Sequence, residues 1–217
     1  MLTSGQAREF YDQFGAKQDK QWFYEGPAVT QALAHGAFQN AQSVFEFGCG
    51  TGHVAEILLQ QYLPPAATYE GCDLSTAMIN LTRQRLAKFG DRAKLSISDG
   101  KPRLPAVPTA QYDRFISNYV LDLLPPDDIG MLMEEAHRVL RPHGLACLVS
   151  LTFGVSLMSQ SVIWLWQRLH AWRPQLVGGC RPVQLTEFVS PQRWRVGYRE
   201  IVVAYGIPSE VVIAEKL

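Results

Sequence analysis

The chain has few cysteines, and none stand in a spacing that binds metal. Its four cysteines, Cys49, Cys72, Cys147 and Cys180, are scattered and form no C-x-x-C pair, so neither a metal site nor a disulfide framework is expected. Cys72 and Cys147 lie in apolar runs, where a reduced cysteine packs as a small hydrophobic residue. We therefore expect a reducing, cytoplasmic compartment and no bound metal.

An excess of charge of either sign is also absent. The 20 basic residues balance the 20 acidic ones, and no run of lysine and arginine stands out. Proteins whose main partner is nucleic acid carry a basic patch or stripe. We therefore expect no nucleic-acid partner.

The sequence lacks segments typical of export or of membrane crossing. The N-terminus has no basic region followed by an apolar core, so no signal peptide is expected. Residues 144–167 carry no charge, but serine, threonine, glycine and glutamine interrupt them. A strand, a loop and the start of a helix explain this stretch better than a span of roughly 20 apolar residues. Peripheral contact with a membrane surface remains open.

What is present is an ordinary globular composition with alternating strand and helix patterns. The chain has 217 residues, 47% apolar and 18% charged, which is enough for one domain with a sizeable core. Hydrophobic periodicity predicts strands at 44–47, 68–72, 93–98, 112–119, 145–151, 199–205 and 210–215. It predicts helices at 7–14, 28–38, 53–62, 78–89, 131–140 and 155–172, and a short one at 184–192, with a break at Gly26-Pro27. Pro142-His143-Gly144 is expected to end the helix at 131–140, and a turn at 206–209 to join the last two strands.

Residues 43–59 combine a buried strand, a glycine turn and a helix start. Gly48, Gly50 and Gly52 stand at alternate positions between the strand and the helix. Such a unit holds a ligand at the carboxyl end of a strand, on free N–H groups of the helix. His53 stands where a dinucleotide fingerprint needs its third glycine, and no Gly-Lys-Ser/Thr ending marks a phosphate loop.

The stretch from Glu46 to Gly52, EFGCGTG, resembles motif I of the class I S-adenosylmethionine-dependent methyltransferases, E/D-x-G-x-G-x-G. Residues 112–144 are similar to a later segment of that family, with Pro-His-Gly in place of its usual Pro-Gly-Gly. The resemblance implies an α/β, Rossmann-like, doubly wound sheet of seven strands, mostly parallel, with an antiparallel C-terminal hairpin strand. It implies one domain over 1–217: a helical lid (1–40), a cofactor-binding core (43–151), and a substrate-side helix with the terminal hairpin (152–217).

Acidic residues end three successive predicted strands, at Glu46, Asp73 and Asp99. Asp73 lies about 20 residues past the last glycine, the spacing at which a carboxylate reaches ribose hydroxyls; alternatively, Asp73 or Ser75 caps a helix, and both readings can hold. Asp99 alone reads equally as a turn residue before glycine, and the resemblance implies that it accepts from the adenine amino group. The residues expected to bind S-adenosylmethionine are Glu46, Gly48, Cys49, Gly50, Gly52, Asp73, Leu74, Asp99, Gly100, Asn118, Tyr119 and, from the lid, Tyr11.

Methyl transfer by direct displacement needs alignment, exclusion of water and, for some acceptors, a proton acceptor. His170 lies where the family builds its substrate pocket, and we predict a catalytic role for it. Arginines of the C-terminal third are ordinary surface charge or bind an anionic substrate. Trp164, Trp166 and Trp172 belong to the core, line an apolar pocket or dip into a bilayer interface.

The function predicted from these patterns is transfer of a methyl group from S-adenosylmethionine to a small-molecule acceptor, hydrophobic or anionic. Methyltransferases acting on nucleic-acid or amide nitrogen often carry N/D-P-P-Y after the fourth strand, and this chain has Asn118-Tyr119-Val120-Leu121 there. Two alternatives stay open: an NAD(P)-dependent oxidoreductase on a similar fold, and a non-catalytic subunit that binds the cofactor.

Overall fold

The computed structural model describes residues 1–217, and its centre is one sheet of seven strands in the order β3-β2-β1-β4-β5-β7-β6. The first five strands run parallel, while β7 is antiparallel to both β5 and β6. This is the predicted seven-stranded, mostly parallel sheet with its antiparallel C-terminal strand. The strands are β1 Ser43–Phe47, β2 Thr68–Asp73, β3 Ala93–Ile97, β4 Tyr112–Asn118, β5 Leu140–Leu151, β6 Trp194–Ala204 and β7 Ile207–Lys216.

Six α-helices flank the sheet or cover its edge. They are α1 Ser4–Phe14, α2 Trp22–His35, α3 His53–Ile57, α4 Thr76–Leu86, α5 Pro126–Val139 and α6 Leu157–Trp172. A π-helix, Leu58–Tyr62, continues α3, and 3₁₀ segments lie at Gly15–Gln21, Phe38–Asn40, Ala87–Arg92, Leu121–Leu123, Pro174–Val177 and Leu185–Phe188. No helix combines the length and the apolar character that crossing a bilayer requires.

Buried side chains on the central strands alternate between two cores, one on each face of the sheet. Phe45 and Phe115 pack with α5 on one face, whereas Val44 and Ile116 pack with α2, α3 and α4 on the other. Both cores exclude water from the sheet, so the central strands are apolar on both faces. This is why their sequences read as continuous apolar runs.

The sheet order reverses at β1, which has β2 on one side and β4 on the other. The crossovers after β1 and β4 lead to opposite faces, so a crevice opens at the carboxyl ends of these strands. Ligands of open α/β sheets bind at such a switch point. The glycine turn after β1 lies in this crevice.

The predicted break at Gly26-Pro27 is wrong, because α2 runs through both residues. A Cβ on Gly26 would lie 2.8 Å from the Trp22 indole, so only glycine at this position leaves room for the ring. Burial of Ala28, Val29 and other apolar residues of α2 stabilises the helix despite the proline, which tertiary packing can do against a local penalty.

Two turns near β5 and β7 also differ from the predictions. The chain leaves α5 at Val139 and enters β5 directly; residues 141–144 form a bulge in β5, with His143 at φ 62°. The final hairpin turns at Tyr205 and Gly206, both with positive φ, which is the geometry of a two-residue hairpin turn. The terminal strands are therefore longer than their apolar patterns indicate.

Candidate cofactor site

The backbone of Gly50, just after β1, is held from two sides. Its N–H donates to Asp73 Oδ2 at 2.9 Å, and its carbonyl accepts from Thr82 Oγ1 at 2.7 Å. Asp73 ends β2 and Thr82 lies on α4, so two elements hold the glycine loop. The loop is therefore preorganised, which lowers the entropic cost of binding a ligand.

The neighbouring glycines have different surroundings. A Cβ on Gly48 would lie 2.2 Å from Val120 Cγ2, so only glycine leaves this part of the crevice open. A Cβ on Gly52 would lie 2.6 Å from Thr82 Cγ2, and Gly52 lines no part of the cavity described next. Gly48 and Gly50 thus face the crevice, whereas Gly52 permits close packing of the loop on α4.

A cavity of about 380 Å³ lies at the carboxyl ends of β1, β2 and β4 and beneath α1. A smaller pocket of about 60 Å³ adjoins it around the glycine loop. Ten of the twelve predicted cofactor residues line one or both: Tyr11, Glu46, Gly48, Cys49, Gly50, Asp73, Leu74, Gly100, Asn118 and Tyr119. The fold therefore brings together residues that are up to 108 positions apart in the chain, Tyr11 and Tyr119.

Two predicted carboxylates lie at this site: Glu46 is buried and Asp73 is half-buried. Glu46 Oε2 accepts from the Tyr69 hydroxyl at 2.6 Å, and burial raises the pKa of Glu46 to about 7. Asp73 Oδ1 accepts from the Ser75 N–H at 2.8 Å, and burial raises its pKa above the ordinary value despite the backbone N–H donors. Ser75 also caps α4 by accepting from the Met78 N–H, which confirms the capping interpretation; the ribose role of Asp73 stays a prediction.

Asp99 and His170 lie outside the lining of the cavity. The Asp99 side chain is exposed and accepts from the Lys101 N–H at 2.9 Å, while its neighbours Ser98 and Gly100 line the cavity. His170 packs beside Gly179; its Nε2 is buried without a partner, and burial lowers its pKa. Their predicted roles toward adenine and in catalysis stay predictions that the positions of these side chains do not support.

Helix α1 covers the cavity, with Ser4, Ala7 and Tyr11 in its lining. Arg8 donates to the Leu74 carbonyl at 3.2 Å, and Asp12 Oδ1 accepts from the Ser75 hydroxyl at 2.5 Å and from the Ala77 N–H at 3.1 Å. No residue of α1 is fully buried. The cover is therefore held mainly by polar tethers, as befits a segment that opens locally.

Several site residues were missed by the sequence reading. Gln18 Oε1 and Asn118 Oδ1 are buried acceptors without a partner beside the glycine loop. Glu25 lines the smaller pocket and accepts from the Tyr24 hydroxyl at 3.1 Å. Asp122, next in sequence to the cavity residue Leu123, is fully buried and has one oxygen without a partner. Of these residues, Asn118 was predicted from its position at the end of β4, whereas Gln18, Glu25 and Asp122 were missed because no motif marks them.

The donor and acceptor chemistry of the site suits S-adenosylmethionine and not a pyrophosphate. Glu46, Asp73 and the unpartnered oxygens of Gln18 and Asn118 are acceptors, so they favour a ligand with hydroxyls, an ammonium and a positive charge. Gly48 leaves open the space beside the loop that a side chain would fill. A pyrophosphate would instead meet carboxylates of its own sign.

Comparison with known proteins supports this assignment. Residues 44–144 match the family described as a methyltransferase domain. Curated relatives include the tRNA N(3)-methylcytidine methyltransferase Mettl2 of Drosophila melanogaster (29% identity over 59% of this chain and 40% of the relative) and a carboxy-S-adenosyl-L-methionine synthase of Chromohalobacter salexigens (29% over 58% and 46%). A trans-aconitate 2-methyltransferase of Azoarcus sp. is 30% identical over 56% of this chain and 44% of its own length. The chain thus spans less than half the length of these relatives.

Solved structures share the fold. A putative methyltransferase in complex with the Trm112 methyltransferase activator of Haloferax volcanii has a TM-score of 0.70 at 15% identity, covering 97% of both chains. The geranyl diphosphate C-methyltransferase of Streptomyces coelicolor, solved with S-adenosyl-L-homocysteine, has a TM-score of 0.66 at 13% identity, covering 87% of this chain and 77% of that one.

The sheet order and the crevice define a Rossmann-like methyltransferase fold. The domain match over residues 44–144, the relatives and the fold together support the class I S-adenosylmethionine-dependent methyltransferase superfamily. Its cofactor is S-adenosylmethionine, and the open alternative of a nicotinamide cofactor finds no support.

Proposed function

We propose that the protein transfers the methyl group of S-adenosylmethionine to a small-molecule acceptor. The observation that carries this proposal is the set of buried and half-buried carboxylates and unpartnered acceptor oxygens around the Gly50 loop, covered by α1. Such a covered crevice admits a compact ligand and excludes water, as displacement chemistry needs. The whole chain over 1–217 acts as one domain in this proposal; of the lid predicted over residues 1–40, α1 covers the cavity, whereas α2 packs in the core on the sheet.

Each lining residue has a defined task toward the cofactor. Asp73 accepts from ribose hydroxyls, and Leu74 and Gly100 bound the space for the base. Glu46, Gln18 and Asn118 accept from the ammonium group at the other end of the site. S-adenosylmethionine supplies a methyl group on a positively charged sulfur, so no metal or covalent nucleophile is required.

The acceptor is proposed to be apolar in part. Leu2, Leu123, Leu124 and Pro125 contribute apolar surface to the lining of the larger cavity. The relatives act on acceptors as different as tRNA and trans-aconitate, so they do not choose between classes. The formal net charge of zero favours a small molecule over RNA, because binding of nucleic acid depends on a basic surface.

Glu25 is the proposed proton acceptor. Burial raises the pKa of Glu25 to about 7, which poises the carboxylate to take a proton near neutral pH. It lies on α2 at the rim of the smaller pocket beside Tyr119. His170, further from this pocket, is the weaker candidate.

The proposed location of the protein is the cytoplasm, because all four cysteines are free thiols.

Incubation with S-adenosylmethionine labelled on its methyl group tests the function. The protein is mixed with two fractions of a cell extract, one of small molecules and one of total RNA, and label is followed by mass spectrometry. We expect label in the small-molecule fraction and none in RNA, with loss of transfer in Glu25→Gln and normal transfer in the exposed control Glu9→Gln. Label confined to RNA would refute the acceptor class, and cofactor binding without transfer to any fraction would indicate a non-catalytic subunit.

A further inference from the structure

Helix α6 is apolar but scarcely buried. Only Ser159 and Ile163 of its 16 residues are buried. Leu157, Trp164, Leu165 and Trp172 are exposed over 85%, 59%, 53% and 70% of their surface. Large side chains of this kind on a water-facing helix mark a surface that meets another apolar phase.

The exposed residues share one face of the helix. Leu157, Trp164, Leu165 and Trp172 stand at i, i+7, i+8 and i+15, and Met158 lies beside them. At 3.6 residues per turn, these positions fall within about a third of the circumference. We call this stripe the α6 surface: Leu157, Met158, Trp164, Leu165 and Trp172.

Two arginines accompany the α6 surface, and no acidic residue interrupts it: Arg168, at i+11 from Leu157, lies within the arc of the stripe, and Arg173 follows its last residue. The Arg168 guanidinium lies 5.1 Å from the centre of the Trp164 ring, and that of Arg173 lies 5.3 Å from the Trp172 ring. No aspartate or glutamate occurs between residues 136 and 186. Tryptophan rings at the level of the headgroups, with long arginine side chains beside them that reach the phosphates, are typical of helices that lie on anionic bilayers.

The α6 surface lies on the edge of the sheet where the cofactor crevice opens. Gly206, in the turn between β6 and β7, adjoins Val162 and Met158 of α6, and β7 begins beside Leu151 at the carboxyl end of β5. Tyr205 of the same turn contacts Phe23 of α2, and both rings are exposed. The apolar surface therefore extends along the catalytic edge.

The segment after α6 connects this surface to the lid. Trp166 Nε1 donates to the Cys180 carbonyl at 2.9 Å, and the Tyr11 hydroxyl donates to the Gly178 carbonyl at 3.3 Å. Tyr11 lies in α1 and lines the cavity. A binding partner that contacts α6 would therefore lie close to α1, the helix that covers the cofactor cavity.

We propose that the α6 surface docks on an anionic lipid bilayer and presents the crevice edge to it. A bilayer fits both features of the surface: its acyl boundary takes the apolar stripe, and its headgroups pair with Arg168 and Arg173. A second copy of the chain would supply the same arginines and no acidic partner from this segment. The inference does not depend on the proposed acceptor, because docking requires neither cofactor nor turnover.

Cosedimentation with vesicles tests the proposal, using equal parts of phosphatidylcholine and phosphatidylglycerol, with pure phosphatidylcholine for comparison. We expect binding to the anionic vesicles that weakens as salt rises. Leu165→Ser should lower the partition coefficient about tenfold, because serine lacks the apolar side chain that leucine buries in the bilayer. Arg168→Glu should weaken binding to anionic vesicles only. The matched controls are Ile97→Ser, on the far edge strand β3, and Arg103→Glu, an exposed arginine away from α6; both should bind as the wild type does.

Three results would overturn the proposal. One is the absence of binding to both types of vesicle. Another is an equal loss of vesicle binding in the α6 variants and in their matched controls. Sedimentation of the protein as a dimer that Leu165→Ser dissociates would assign the α6 surface to a second copy instead.

Discussion

Removal of Asp12 should loosen the cover of the cofactor site. Asp12 Oδ1 accepts from the Ser75 hydroxyl at 2.5 Å and from the Ala77 N–H at 3.1 Å, at the N-terminus of α4. A carboxylate that accepts at a helix N-terminus contributes about 0.5–2 kcal/mol. Because no residue of α1 is fully buried, little packing compensates for this loss. Asp12→Ala should therefore raise the open population of α1 by about 2–30-fold, at 1.4 kcal/mol for each factor of ten.

Hydrogen exchange of the α1 amides in the free protein measures this opening directly. Glu9→Ala is the matched control, since Glu9 is exposed on the same helix and makes no hydrogen bond to the rest of the chain. We expect faster exchange over residues 7–14 in Asp12→Ala only, together with faster release of S-adenosylhomocysteine. Exchange at the wild-type rate in Asp12→Ala, or equal acceleration in Glu9→Ala, would show that the tether does not hold α1.

Two further predictions concern packing and titration. Gly52→Ala should lower the free energy of unfolding by about 2–4 kcal/mol, because the φ of residue 52 is +76° and the new Cβ would meet Thr82 Cγ2. Thr82→Ser removes that methyl group and keeps the hydroxyl, so the double variant should regain part of the lost stability. A double variant no more stable than Gly52→Ala would refute the contact. Burial raises the pKa of Asp122 from 3.8 to about 7, so its contribution to stability is complete below the unfolded pKa and is lost as pH rises through about 7. Denaturant titrations between about pH 5 and 8 should show the wild type losing more stability than Asp122→Asn, and parallel curves would refute that titration.

The sequence predicted the sheet and the glycine loop because both depend on short-range patterns. Apolar runs mark the buried strands, and Glu46 to Gly52 carry a local motif. Tertiary contacts decided the rest: α2 crosses Pro27 because its apolar face is buried on the sheet. The Asp99 side chain accepts from the Lys101 N–H within its own turn, a choice that no spacing reveals.

Residues that reach the site from other elements were the hardest to predict. Gln18 lies in a 3₁₀ segment without a motif, and its role follows only from the approach of its side chain to Gly50. A catalytic role was predicted for His170 from its position in the chain alone, but the side chain packs beside Gly179 and does not line the cavity. Three-dimensional proximity, unlike strand endings, has no periodic signature.

Calorimetric titration with S-adenosylhomocysteine tests the central claim most directly, namely that the crevice at the Gly50 loop holds the cofactor. We predict saturable binding to the wild type, at least about tenfold weaker binding to Asp73→Asn through the loss of charge-assisted hydrogen bonds, and unchanged binding to Asp91→Asn, an exposed aspartate away from the crevice. No binding heat in the wild type, or equal affinities in all three proteins, would contradict the account.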